Sequence, residues 1–248
     1  MVRIALSTLF VLGFSMIYAQ DSLRSKNFLS FSVGGSFATG NYGSSVSSLQ
    51  GSGFATSGFL YQFEYAGFWS KHAGFGFEAG HFSNAVNLNS YSNDFAANFQ
   101  GLTPPNTVLV TSIDNWKATY LLGGPYITLP FKDLIIDFKA LGGMVNSTIP
   151  GFTYIITNGS VITSYPEGKA SFNSNTSFGY ILGANFRLKI STQTQIRFAA
   201  EYFQTYSSGG KSVELTSPVI LTSPVITSGH QSIAALNLSW GLAFSLGK

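Results

Sequence analysis

His81 and Ser83 stand two residues apart, and a serine hydroxyl beside an imidazole could form an acyl-transfer pair. In a strand, residues two apart share a face. A second set of residues could do electrostatic work. Glu64, Glu78, Asp137, Lys139, Arg187, Arg197 and Glu201 all interrupt apolar alternating stretches, each a few residues from a short turn. The rest of the chemical inventory is thin. Of the 3 histidines, His72 sits in a turn and His230 at the outer rim of the last strand, and there is no cysteine. Metal-ligand spacings, phosphate loops and nucleophile elbows are missing, and Gly34-Gly35 and Gly142-Gly143 read as strand glycines. Neither a metal nor a cofactor is expected.

Long strands must position these residues, and the clearest is Ser232–Leu246. Its alternate residues Ala234, Leu236, Leu238, Trp240, Leu242, Phe244 and Leu246 are apolar, while the intervening set is small and mostly polar. Such a run is longer than most soluble strands and long enough to cross a bilayer at a tilt. Seven more stretches repeat the pattern: Phe28–Thr39, Thr56–Trp69, Ala73–Phe82, Trp116–Leu129, Leu134–Val145, Thr176–Ile190 and Gln195–Tyr206. In Trp116–Leu129 the greasy face is read as Trp116, Ala118, Tyr120, Leu122 and Tyr126, against Lys117, Thr119 and Gly123. Connections alternate in length. Ser70–His72, Pro130–Asp133 and Ser191–Thr194 are tight, whereas Gly40–Gly53, Ser83–Asn115, Asn146–Asn175 and Ser207–Gln231 are long. The expected fold is all-β, an eight-stranded antiparallel up-and-down transmembrane β-barrel. Its turns and both termini would be periplasmic and its long loops extracellular.

Composition points the same way. Charged residues make up 9% of the chain, against about 25% in soluble domains. A net charge of +3 is too small to imply nucleic acid. The lack of cysteine removes disulfides, thiolate metal sites and a lipoprotein anchor. Residues 1–19 combine Arg3, an apolar run from Ile4 to Ile17 and a cleavage-like Tyr18-Ala19-Gln20. They are read as a signal peptide, which leaves 20–248 as the barrel domain.

Two stretches resemble further strands. Phe152–Tyr165 carries a hairpin signal at Asn158-Gly159, but each arm is too short to span a bilayer; it is read as a hairpin above the membrane. Leu215–Ile226 repeats Leu-Thr-Ser-Pro-Val-Ile, and Pro218 and Pro224 argue against central strands there. The seven strand charges named above, with Lys117 and Lys189, are all assigned to the non-greasy face. Buried charges must pair, so the seven are expected to form a lumenal salt-bridge network that plugs the barrel. A charged selectivity constriction is the other reading of the same residues.

The run His81-Phe-Ser83-Asn84 resembles the H-x-S-N core of the PagL-type outer-membrane lipid A deacylases, which are themselves eight-stranded barrels. That resemblance implies His81 as general base, Ser83 as nucleophile and Asn84 as an oxyanion-side donor, with Asp94 the nearby acid. The whole-chain pattern resembles the small OmpA/OmpX-like outer-membrane barrels, in particular those common in Bacteroidetes. The carriers are Tyr18-Ala19-Gln20, Gly123-Gly-Pro-Tyr126 with Leu129-Pro-Phe131, and Leu141-Gly-Gly143.

The function read from the sequence is therefore an outer-membrane barrel of a Gram-negative bacterium with a plugged polar lumen. It would act structurally or in surface interaction through its outer loops. Its expected partners are outer-membrane lipid and a surface ligand or envelope protein. A lipid A acyl hydrolase using His81 and Ser83 is the alternative, and a narrow, porin-like channel is the third reading.

Overall fold

Strands that alternate bulky apolar with small or polar side chains make a sheet with one face that avoids water and one that can hold polar groups. In the computed structural model this sheet closes on itself. The structure describes residues 27–46, 52–98, 106–158, 168–170, 174–208 and 230–246. In chain order the strands are β1 (Asn27–Ala38), β2 (Ala55–Phe68), β3 (Ala73–Val86), β4 (Asn106–Ile113), β5 (Trp116–Pro130) and β6 (Leu134–Thr148). They continue with β7 (Phe152–Asn158), β8 (Gly168–Ala170), β9 (Asn175–Lys189), β10 (Thr194–Ser208) and β11 (His230–Leu246). Two helices, α1 (Gly40–Gly43) and α2 (Leu88–Asn98), lie in the long connections.

Eight strands form a closed barrel in the order β1-β11-β10-β9-β6-β5-β3-β2, and β4-β7-β8 form a separate sheet. Every barrel pairing is antiparallel, and β1 meets β11 from Asn27↔Leu246 to Ala38↔Ala235. This is the eight-stranded up-and-down barrel expected from the alternation. Large apolar side chains cover its outside. Phe31, Phe63, Phe77, Leu121, Phe138, Leu182, Phe198 and Leu238, one from each barrel strand, are 44–60% exposed.

The expected faces hold on seven strands and fail on β5. Trp116, Ala118, Tyr120, Leu122 and Tyr126 point inward and are buried, while Lys117, Thr119, Leu121, Ile127 and Leu129 point outward. Both alternating sets of β5 are apolar, so periodicity could not choose between them. The neighbouring strand does. Tyr120 stands opposite Gly80, where a Cβ would come within 2.4 Å of the tyrosine ring. The bare glycine therefore leaves the inward space that the ring fills. Lys117 consequently belongs to the outer face, contrary to its expected place.

The interior is layered. On the long-loop side of the charged residues, Phe203 packs against Phe82 at 5.0 Å and Tyr120 at 5.5 Å. On the short-turn side, Phe68 packs against Phe28 at 6.2 Å and Tyr126 at 6.5 Å.

The long connections hold more structure than the sequence suggested. Ser83–Asn115 contains the end of β3, all of α2 and β4. The hairpin expected at Asn158-Gly159 has a different partner. A turn there would set Tyr154 opposite Thr163, but Tyr154 pairs with Gly168 on one side and Val110 on the other. Residue 159 lies outside the described residues, as do the signal segment 1–19 and the Leu215–Ile226 repeat. Aromatic rings hold this crown together. Tyr91 of α2 meets Phe54 at 5.5 Å and Phe152 at 5.4 Å, and Phe95 meets Phe152 at 5.0 Å. Phe54 is held at φ +52°, a conformation unusual for a bulky residue, with its carbonyl accepting from the Asn87 N–H. Trp116, expected to face lipid, closes the top of the barrel: its Nε1–H donates to Gly53 O at 2.9 Å and its ring meets Tyr42.

Candidate functional site

Inward parity on five strands places seven charged side chains in the barrel interior, all with 4% exposure or less. Lys139 of β6 is the hub. Its Nζ lies 2.6 Å from Glu64 Oε2 and 2.7 Å from Glu201 Oε1, and it also pairs with Glu78 Oε2. Arg197 bridges Glu64 and Glu201 from the other side, with Glu201 Oε1 at 3.1 Å. Arg187 and Asp137 form a separate two-point pair at 2.6 and 2.9 Å, the fork geometry that suits a guanidinium to a carboxylate. The Arg187 guanidinium also lies over the Phe28 ring, 4.0 Å from its centroid.

Neutral groups complete the arrangement. Asn185 donates to Glu64 Oε1 at 2.7 Å and accepts from Arg197 at 3.0 Å. The Tyr120 hydroxyl donates to Glu78 Oε1 at 3.0 Å, and Gln62 Nε2 to Glu201 Oε1 at 3.0 Å. Gln195 accepts from Arg187 and donates to Ser245 Oγ, each at 3.0 Å. Sequence reading found the charges but passed over these partners. Their signal was available: Gln62, Asn185 and Gln195 share the strand parity of the charges beside them. Tyr120 was hidden by the inverted reading of β5. Glu64, Glu78 and Glu201 are close enough to share one cation, and the Lys139 ammonium takes that role.

The interior opens at the short-turn end into a vestibule of about 820 Å³. Lys71, Lys132, Lys189, Arg187, Gln195 and Ser245 are among its lining residues.

The structure separates the other candidate group. His81 and Ser83 are both on the outer face near the long-loop end, but each has its own partner. His81 Nδ1 lies 2.8 Å from Thr119 Oγ1 and the ring stacks on Tyr61 at 5.4 Å, while Ser83 Oγ accepts from Asn115 Nδ2 at 3.3 Å. Asn84 points the opposite way. It is fully buried inside the barrel and donates to Ser36 O and Thr56 O at 3.0 and 2.6 Å, so it cannot serve an oxyanion on the outer face. Asp94 lies in α2, beside Tyr91, whose hydroxyl is held well above the usual tyrosine range by burial and by that carboxylate. A nucleophile needs its base within hydrogen-bond reach, and here the hydrogen bonds of His81 Nδ1 and Ser83 Oγ run to Thr119 and Asn115 rather than to each other. Ser83→Ala is therefore expected to leave lipid A unchanged. Mass spectra of lipid A from cells expressing the native or substituted chain check this; an acyl chain lost only with the native chain would restore the acyl-transfer reading.

No protein-family model matches the chain, and no curated protein matches it. Among solved structures, Neisserial surface protein A matches at 11% identity over 90% of this chain and 98% of its own, with a TM-score of 0.45. The attachment invasion locus protein Ail of Yersinia pestis matches at 10% identity, over 90% and 100%, with a TM-score of 0.41. The outer membrane protein OprG from Pseudomonas aeruginosa matches at 9% identity, over 92% and 99%, also with 0.41. Likeness at this level assigns neither a ligand nor a residue role to this chain.

Proposed function

We propose that the chain is an integral outer-membrane barrel of a Gram-negative bacterium that works as a scaffold for its long-loop end. The observation that carries this reading is the apolar belt: every barrel strand contributes large exposed apolar side chains to the outer face. Soluble monomers rarely leave so large an apolar surface uncovered, and a closed barrel is one of the two backbone arrangements that lipid tolerates. Charge placement agrees with it. Of the charged side chains on the barrel strands, only Lys117 and Lys189, each near a strand end, are exposed.

The ion-paired interior then serves as a plug rather than a pore. Arg187, Lys139, Arg197 and their acids span the barrel between two aromatic layers, and a barrel of eight strands is narrow enough for side chains to fill. Function falls to the crown, where α2, β4 and β7 present an ordered surface on a rigid base. Its partner would be a surface ligand or another envelope protein.

Labelling tests the placement. The chain has no cysteine, so Asp114→Cys in the crown and Lys132→Cys in a short turn are unique targets. A membrane-impermeant maleimide is expected to label the first on intact cells and the second only after the envelope is opened. Recovery of the chain in the soluble fraction would sink the membrane reading, and the reverse labelling pattern would invert the orientation. Conductance steps in planar bilayers would replace the plug with a channel.

A further inference from the structure

One wall of the barrel interior carries several buried polar atoms without partners among the described residues. Glu64, Glu78 and Asp137 each have both carboxylate oxygens engaged. Glu201 does not. Its Oε1 serves Gln62, Lys139 and Arg197, while Oε2 is buried with no partner among the described residues. Asn237 of β11 stands directly across from Glu201 in one register and from Ser36 in the other. It is 1% exposed, and neither its Oδ1 nor its Nδ2 has a partner among the described residues. Gln62 Oε1, Asn84 Oδ1 and Ser36 Oγ are buried and unpartnered in the same sense. Two hydrogen bonds tie these groups to the same place: Gln62 Nε2 reaches Glu201, and Asn84 Nδ2 reaches Ser36 O.

Charge is also unbalanced there. Four buried carboxylates, of Glu64, Glu78, Asp137 and Glu201, meet three buried cations, of Lys139, Arg187 and Arg197, among the described residues. A single uncompensated charge inside a barrel is expensive. A proton held within the glutamate cluster would cancel it, yet would give a donor to at most one of the waiting oxygens. Four of those oxygens, Glu201 Oε2, Gln62 Oε1, Asn237 Oδ1 and Asn84 Oδ1, can only accept. Hard oxygens around one surplus negative charge are the ligand set of a small cation with bound water.

We propose that Glu201 Oε2 and Asn237 Oδ1 hold a monovalent alkali cation against the β1–β11 wall, with Gln62, Asn84 and Ser36 reached through water. The site is distinct from the space among the three glutamates, which Lys139 fills. This inference needs only the closed barrel and is independent of where the barrel resides.

The test uses the full chain refolded in zwitterionic detergent micelles. Urea midpoints are compared in sodium chloride, potassium chloride and N-methylglucamine chloride at equal ionic strength and constant pH. The midpoint should rise in at least one alkali salt over the bulky organic cation and saturate with concentration. That rise should vanish in Glu201→Gln and in Asn237→Leu. The second variant leaves the charge count untouched and carries the test alone should Glu201→Gln fail to fold. Thallium(I) should give an anomalous scattering peak between the two side chains. Equal midpoints in all three salts overturn the proposal, as does a salt response that survives both substitutions. A midpoint that follows pH but ignores the cation also overturns it, and assigns the surplus charge to a proton.

Discussion

Lys139→Met is expected to destabilise the barrel by about 3–5 kcal/mol, the range for breaking a buried ion pair by removing one partner. The lysine touches three carboxylates, and no solvent reaches any of the four groups. The carboxylates would not suffer equally. Arg197 still holds Glu64 and Glu201, whereas Glu78 keeps only the Tyr120 hydroxyl. Adding Glu78→Gln to Lys139→Met should therefore recover part of the loss, and a double-mutant cycle would measure how much of it belongs to that pair. Urea unfolding in micelles, followed by the fluorescence of the 3 tryptophans, reports it. A loss below about 1 kcal/mol would mean that water enters and screens these charges, and the plug would have to be given up.

Leu121→Arg probes the opposite face and is expected to cost about 2–4 kcal/mol in lipid vesicles, the penalty for arginine near the bilayer midplane. Leu121 is 60% exposed and sits near the middle of β5. The same face tolerates Lys117 close to the strand's end, where the penalty falls toward zero. On a surface in contact with water, such a substitution changes stability by no more than about 0.5 kcal/mol. A neutral result in vesicles would therefore remove the membrane from the interpretation while leaving the barrel intact.

Most of the barrel was legible because period-2 alternation is a physical requirement of a sheet with unlike faces. β11 shows this best, with Leu236 through Leu246 outside and Asn237 through Ser245 inside. β5 was misread for the same reason. Alternation assigns faces only when the two sets differ, and Leu121, Ile127 and Leu129 are as greasy as Tyr120 and Leu122. What distinguished them was the empty space over Gly80, a property of a different strand. The crown was illegible on other grounds. Leu88–Asn98 is a helix of polar and small residues without a sharp apolar stripe, and it is stabilised by contacts with Phe54 and Phe152, distant in sequence. Among the candidate site residues, acids and bases announce themselves by type. Their pairings, and the unpaired side of Glu201, depend on which strands become neighbours.

Closure of β1 on β11 sets the order in which this molecule can be made. The seam joins Asn27 to Leu246, so the two ends of the described chain must meet before either strand is fully paired. A nascent chain that stops anywhere earlier exposes two raw sheet edges, which invite pairing with other chains. The other seven barrel pairings join consecutive barrel strands, and the β1–β11 seam alone spans the barrel's whole sequence. Contacts of such long sequence separation slow folding. Closure must therefore wait until β11 has been made, whatever has already paired before it.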